Sequence, residues 1–172
     1  MNEKMIEKYN IKLHADKDKL VVDGKIGKNA KDTKYVQEHK AEIIDILKQK
    51  ELAEEQQRLE HRRKIESIEG LVELQTAISD WNKYNNAMSR YIDRDCIGTA
   101  PVKPAVTVDE LTEKYPRAAA YIKADQWSYS SHYYKASCGE RAKKAILDGD
   151  NYKDVIADMK SAWKKYTEES VD

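Results

Sequence analysis

The spacing of hydrophobic residues changes within the first 50 positions. Met5 and Ile6 lie in a short run of helix-forming residues, and Ile11 and Leu13 then alternate with polar neighbours. A period of two is typical of a half-buried β-strand. The apolar run at 20–22, Leu-Val-Val, contains two β-branched residues and ends at an Asp-Gly pair, which favours a turn. We therefore predict a short helix followed by a β-hairpin.

Two helices are predicted after this hairpin. Asn29 is a favourable N-cap for a helix through Val36, and apolar residues recur at helical spacing from Ile43 to Leu47. Residues 1–50 therefore form a predicted α+β head with the order helix, hairpin, helix, helix. A unit of this size buries only about 60% of the surface of its unfolded chain. We expect a homodimer through the head, or contact with a partner or with the rest of the chain.

A long polar helix is predicted next. Residues 48–66 contain no Gly or Pro and are rich in strong helix formers. Only Leu52, Leu59 and Ile65 are large and apolar, which is too few for a coiled-coil seam. This pattern favours a solvated connector helix that ends near Gly70.

An amphipathic helix follows the connector and completes the predicted region 51–97. Its apolar stripe comprises Leu71, Leu74, Ile78, Trp81, Met88 and Ile92. Gly98, Pro101 and Pro104 then indicate an extended linker over residues 98–106. We predict a domain boundary near residue 100.

The C-terminal third, residues 107–172, is predicted to be a helical bundle. Thr107 and Glu110 have the spacing of a capping box, and Pro116 suits the first turn of the following helix. Gly139 predicts an interruption of the helical stretch that begins at Pro116 and ends at Gly149. The last helix has an apolar stripe formed by Tyr152, Val155, Ile156, Met159, Trp163 and Tyr166. The expected fold class is mainly α, with a small α+β head, a long connector helix and a C-terminal helical bundle.

Charge, aromatic content and targeting signals narrow the functional classes. The 172 residues include 31 basic and 31 acidic side chains, and this zero net charge is not typical of a nonspecific nucleic-acid binder. No apolar run approaches the roughly 20 residues of a membrane span. The N-terminal segment lacks the apolar stretch of a signal peptide, and two cysteines are too few for a disulfide scaffold. We expect no membrane partner and a cytoplasmic location.

Catalytic and metal-binding patterns are hard to find in this sequence. His132 and Cys138 are six residues apart, which places them about 240° apart around a helix, so we do not expect a nucleophile and base pair. The four His and two Cys show no zinc-type spacing, and the six Gly are scattered rather than grouped in a phosphate-binding loop. We predict no enzyme activity, no metal site and no cofactor.

A cluster of aromatic residues is the most informative local feature. Phe is absent from the chain, whereas Tyr occurs 11 times and Trp 3 times. Six of these rings fall within 20 positions: Tyr115, Tyr121, Trp127, Tyr129, Tyr133 and Tyr134. Basic residues follow at Lys135, Arg141, Lys143 and Lys144. The cluster is interpreted as a protein-binding hot spot, as a base-stacking surface, or as the core of a bundle without Phe. Six rings cannot all point inward from one helix, so we expect some to be exposed.

The predicted hairpin carries a second candidate surface of basic residues. These are Lys12, Lys17, Lys19, Lys25 and Lys28. They are candidates for binding an acidic peptide that adds as a strand or a phosphate backbone. The alternative is that charges on an edge strand only prevent unwanted strand pairing.

The head resembles a known docking domain. Leu13, the Leu-Val-Val run, Gly24 and the segment His39-Lys40-Ala41-Glu42-Ile43-Ile44 are similar to the TubC-type N-terminal docking domain of hybrid peptide and polyketide synthases, which is also found fused to phage replication proteins. The resemblance covers about 45 residues. It implies the helix, hairpin and helix-pair fold, dimerisation, and addition of a partner peptide to the hairpin at residues 11–26.

The remainder resembles proteins of Gram-positive phages and prophages over residues 65–168. The segments that carry this likeness are KYPRAAAY at 114–121 and the start of the last helix, DNY to DM, at 150–159. It implies a phage accessory protein in a bacterial host cell. Our leading hypothesis is a non-enzymatic protein that binds another protein, such as an inhibitor of a host defence complex, including CRISPR. The alternative is a nucleic-acid-binding protein of phage replication or regulation.

Overall fold

The computed structural model describes residues 1–14, 19–22 and 29–169. In these ranges the chain forms eight helices and one two-stranded sheet. The expected fold class, mainly α with a small α+β part, is confirmed. The chain divides into two compact units, Met1–Arg62 and Arg63–Asp172.

The first unit contains the predicted order of elements. They are α1 Asn2–Lys8, β1 Lys12–Leu13, β2 Leu20–Val21, α2 Ala30–Glu38 and the N-terminal part of α3 Lys40–Glu66. The strands are antiparallel, with Lys12 opposite Val21 and Leu13 opposite Leu20. Asn29 caps α2 as expected, because its side chain accepts hydrogen bonds from the backbone N–H groups of residues 31 and 32.

A small apolar core holds the first unit together. Its buried members are Met5, Ile6, Tyr9, Ile11, Val36 and Ile43. At the edge of this core, the Asp32 carboxylate accepts hydrogen bonds from Lys8, Tyr9 and Asn29. This carboxylate therefore links α1 to α2.

The connector helix is present as α3, which is 27 residues long. Leu52 and Leu59 are 60% and 40% exposed, in agreement with a solvated helix. The predicted break at Gly70 is also confirmed, because Gly70 has φ +72° and precedes the next helix. The division between the two compact units falls within α3.

Five helices follow in the second unit. They are α4 Leu71–Ile92, α5 Val108–Lys114, α6 Pro116–Ser128, α7 Tyr133–Asp148 and α8 Tyr152–Glu169. The predicted capping box is formed, because Thr107 and Glu110 each accept a hydrogen bond from the backbone N–H of the other. The main buried side chains are Ile68, Leu71, Leu74, Leu111, Tyr121, Cys138, Ile146, Leu147 and Met159.

The compact units do not follow the predicted boundary near residue 100. Helix α4 packs against α5 and α6, and the indole N–H of Trp81 donates to the backbone carbonyl of Val106 at 2.8 Å. Residues 98–106 therefore lie within the second unit. Along α4, Leu71 and Leu74 are buried and Ile78 packs against the core, whereas Ile92 is 59% exposed, so the C-terminal end of the apolar stripe does not reach the core.

The predicted interruption at Gly139 is wrong. Helix α7 runs through this position without a break. A Cβ atom at Gly139 would lie 2.6 Å from the carbonyl oxygen of Ala124 and 2.8 Å from the carbonyl carbon of Trp127. Glycine is therefore required for the close approach of α6 and α7, not for a turn.

Candidate functional site

The loop between α6 and α7 brings the predicted aromatic segment against the last helix. Trp127 lies at the end of α6, His132 occupies the N-cap position of α7 without a side-chain capping bond, and Tyr134 lies in the first turn of α7. Helix α8 adds two further rings. We define the aromatic cluster as Trp127, His132, Tyr134, Trp163 and Tyr166.

The rings of the aromatic cluster form a continuous set of contacts. Tyr134 stacks on Tyr166 with centroids 4.4 Å apart and planes 15° from parallel. His132 meets Trp163 and Tyr166 edge to face, at centroid distances of 4.9 and 5.3 Å. Trp127 meets Trp163 at 6.4 Å in the same type of geometry. These offset and edge-to-face arrangements are the ones that aromatic quadrupoles favour.

Lys135 places its charge over the two indole rings. Its Nζ lies 5.0 Å from the centroid of Trp127 and 5.6 Å from that of Trp163. A cation at these distances from an aromatic face is stabilised electrostatically. The lysine therefore forms part of the aromatic cluster.

Two tyrosines close in sequence to members of the aromatic cluster project into solvent, and the ring of one of them, Tyr129, lies 5.9 Å from Nζ of Lys143. Tyr129 is 81% exposed and Tyr133 is 87% exposed. The other predicted rings do not share this exposure, since Tyr121 is buried and Tyr115 packs over Gly70. Burial also raises the pKa of the Tyr121 hydroxyl. The sequence expectation that some of the six rings are exposed therefore applies to Tyr129 and Tyr133.

The basic residues of this region differ in their surroundings. Lys143 is largely buried and forms ion pairs with Asp125 at 2.8 Å and Glu140 at 3.4 Å. Burial lowers the pKa of Lys143 and the bond to Asp125 raises it, with a raised pKa as the net result. Arg141 is exposed and donates to the Cys138 sulfur at 3.4 Å, and Lys144 is exposed. The charge of Lys143 is therefore paired with two carboxylates of the protein itself.

The predicted head lysines form a separate group in the first unit. Lys12 lies on β1 and Lys19 precedes β2, and both are exposed. Lys17, Lys25 and Lys28 lie outside the described residues. Of the five lysines predicted to bind a partner at the hairpin, the structure therefore describes two, Lys12 and Lys19.

His132 and Cys138 do not form a reactive pair. His132 is exposed and contacts aromatic rings, whereas Cys138 is 2% exposed within the core. Across residues 1–14, 19–22 and 29–169, no three His, Cys, Asp or Glu side chains come together at a position suited to a metal ion. None of the helices in these ranges is both long enough and apolar enough to span a membrane.

Trp163 and Tyr166 are the cluster residues that sequence reasoning assigned only to a core stripe. They lie three residues apart near the C-terminal end of α8. The stripe predicts their common helix face, but their aromatic partners depend on the packing of α8 against α7. A useful sequence signal is that two of the three aromatic residues in this stripe, Trp163 and Tyr166, come after its last aliphatic residue, Met159.

Comparison with known proteins gives no relative: no family model, no curated protein and no solved structure matches the chain.

Proposed function

We propose that this protein acts by binding another protein through the aromatic cluster and the adjacent Tyr129 and Tyr133, and not by catalysis. The observation that carries the proposal is the exposure of these two tyrosines, 81% and 87%, in the segment that also contains Trp127, His132 and Tyr134. Tyrosine provides a large contact area with few rotatable bonds, and Tyr and Trp are enriched among residues that dominate binding energy.

The packing of the aromatic cluster supports this assignment. Trp127, Trp163 and Lys135 restrain one another, so a partner meets a surface that is already ordered. Preorganisation lowers the entropy lost on binding. Lys144 and Arg141 add positive charge on the same helix, which favours an acidic partner surface.

The proposed biological role follows from the resemblances of the sequence. We propose a phage or prophage accessory protein that acts in the host cytoplasm, with a host defence complex such as CRISPR as the target class. The docking-like head is proposed to dimerise and to receive a partner peptide at its hairpin. Light scattering of the whole chain tests the dimer, and a monomeric mass at all concentrations would exclude it.

The test of the aromatic surface is affinity purification from a nuclease-treated extract of a Gram-positive host. The Y129S/Y133S variant removes the two exposed rings. A matched control, I97S/V102S, removes two other exposed apolar side chains, which are 76% and 90% exposed. We expect one stoichiometric protein to be retained by the wild type and the control and lost with Y129S/Y133S.

Nucleic-acid binding is tested by repeating the purification from an extract without nuclease treatment. Retention of nucleic acid without protein, with an affinity that falls steeply as salt increases, would contradict the proposal and support the alternative. Lys143 is already paired with two carboxylates, which leaves Lys135, Arg141 and Lys144 as the candidate phosphate contacts in this region.

A further inference from the structure

A second concave surface of the C-terminal unit lies apart from the aromatic cluster. It is a groove of about 520 Å³ between α4, α6 and α8. Its apolar walls include Leu74, Ile78, Ala119, Ile122, Tyr152 and Ile156. Most of these side chains are only half-buried, since Leu74 alone among them is fully buried.

The groove exists because α6 is apolar on two sides. Ala124 and Ser128 lie against Gly139 of α7. At about 100° per residue, Ala119 and Ile122 lie on a different side of α6, away from that contact. The side that faces α7 is covered, whereas the side with Ala119 and Ile122 forms the floor of the groove.

The groove is elongated. A second cavity of about 520 Å³ shares Ile78 and Gln126 with the first and continues along α4 to Asn85. From Pro116 to Gln126 the floor extends over eleven residues of α6, and the ten steps between them span about 15 Å at a rise of 1.5 Å per residue. That length corresponds to about three turns of a bound helix.

The charges at the rim are asymmetric. Lys123 and Lys153 line the first cavity, which has no carboxylate in its lining. Neither lysine forms an ion pair with another residue in the described part of the chain. Asp109 lines the second cavity and not the first. A ligand that places carboxylates beside Lys123 and Lys153 is therefore complementary to the first cavity.

We propose that this groove binds an amphipathic helix of a partner protein, with acidic residues beside its apolar face that meet Lys123 and Lys153. The walls are helices with no free strand edge. An extended peptide would leave its backbone N–H and C=O groups against apolar side chains, whereas a helix satisfies these groups internally. Apolar residues spaced i, i+3, i+4 and i+7 suit such a groove. The proposal uses a different surface from the aromatic cluster, so either one can fail alone.

The test uses the whole chain and two synthetic probes. The first is a fluorescein-labelled 15-residue helical peptide with leucines at i, i+3, i+4 and i+7 and glutamates beside them. The second has lysine in place of every glutamate. Fluorescence anisotropy measures the Kd of both. We expect the glutamate peptide to bind about tenfold more tightly or better, because the rim charges attract it and repel the other.

Three variants locate the binding. K123E/K153E changes only exposed residues and should reverse the preference between the peptides. A119Q fills the floor and should weaken both peptides, with circular dichroism as the check that the variant is folded. K165E is the matched control, since Lys165 is an exposed residue of α8 outside the groove, and it should bind as the wild type does.

Two results would overturn the charge argument: equal Kd values for the two peptides, or no change in their Kd values with K123E/K153E. If dodecanoate binds and neither peptide does, the occupant is a small amphiphile. If light scattering shows a dimer that A119Q abolishes, the occupant is a second copy of this chain. Each of these results would overturn the proposal.

Discussion

Gly139 of α7 lies directly against the backbone of Ala124 in α6. A Cβ atom at position 139 would be 2.6 Å from the Ala124 carbonyl oxygen, which is well inside van der Waals contact. The two helices therefore pack backbone to backbone at this point. The aromatic cluster depends on this contact, because Trp127 and Tyr134 belong to the same two helices.

We expect Gly139→Ala to destabilise the second unit. Alanine is the better helix former by about 1 kcal/mol, but its methyl group meets backbone atoms that cannot rotate away. Overpacking of this kind typically lowers the free energy of unfolding by about 1–3 kcal/mol. Urea unfolding measures the change.

The control for this substitution is Gly149→Ala. Gly149 has φ +101° and no atom within 4 Å of an added Cβ, so that variant reports conformational strain alone, about 1–2 kcal/mol. If Gly139→Ala were no more destabilising than Gly149→Ala, the close approach of α6 and α7 would not be the reason for glycine at position 139.

Gly70 and Tyr115 form a second coupled pair. Gly70 has φ +72°, and an added Cβ would overlap the Tyr115 ring. Gly70→Ala therefore combines backbone strain with a steric collision, and Tyr115→Ala removes the collision. The sum of the two single-variant changes in the free energy of unfolding should overestimate the destabilisation of the double variant. We expect the difference to be about 1 kcal/mol or more, in the usual range for residues in contact. Additive free energies of unfolding would contradict the contact.

The sequence predicted local elements well where the signal lies in adjacent residues. Asn29, Thr107 with Glu110, and Gly70 all mark helix ends because their side chains or backbone conformations act within a few positions. The same reasoning was wrong at Gly139, because a glycine in a turn and a glycine at a helix contact have the same local sequence signal. Only the position of Ala124 in space distinguishes the two cases.

The candidate site was predicted in part for a similar reason. Tyr129 and Tyr133 were candidates because the sequence contains more aromatic rings than one helix face can bury. Trp163 and Tyr166 lie some 30 positions later and join the aromatic cluster only through the packing of α8. Helical periodicity predicts which face a residue shares, but not which helix covers that face.

The Asp32 carboxylate should have a pKa below its ordinary value. The hydrogen bond from Lys8 is the main cause, and the hydrogen bond from Tyr9 adds to it. Because the pKa of the carboxyl is lower in the folded state than in the unfolded state, its contribution to stability is present above the unfolded pKa. It is lost as the pH falls through the folded pKa.

NMR titration of the Asp32 carboxyl carbon measures this effect. Lys8→Met should raise the Asp32 pKa towards its ordinary value and reduce the loss of stability of the first unit in acid. The control is Lys31→Met. Lys31 is next to Asp32 in sequence but forms no ion pair with a described residue, so this variant should leave the pKa of Asp32 much closer to the wild-type value. Equal shifts in both variants would indicate a general charge effect and not the Lys8 bond.

The last prediction concerns the charge that Lys135 places between Trp127 and Trp163. Lys135→Met keeps the length of the side chain and removes the cation, so it should lower the free energy of unfolding by about 0.5–1 kcal/mol, the range for partly exposed cation–π contacts. Lys135→Arg should retain most of the stability, because a guanidinium also binds aromatic faces.

Trp fluorescence in a W81F background reports on the two indole rings directly, and its emission should change in Lys135→Met and not in Lys144→Met. Unchanged emission and stability in Lys135→Met would show that the lysine does not hold the rings in place, and the preorganisation argued for the aromatic cluster would then rest on the contacts between the rings themselves.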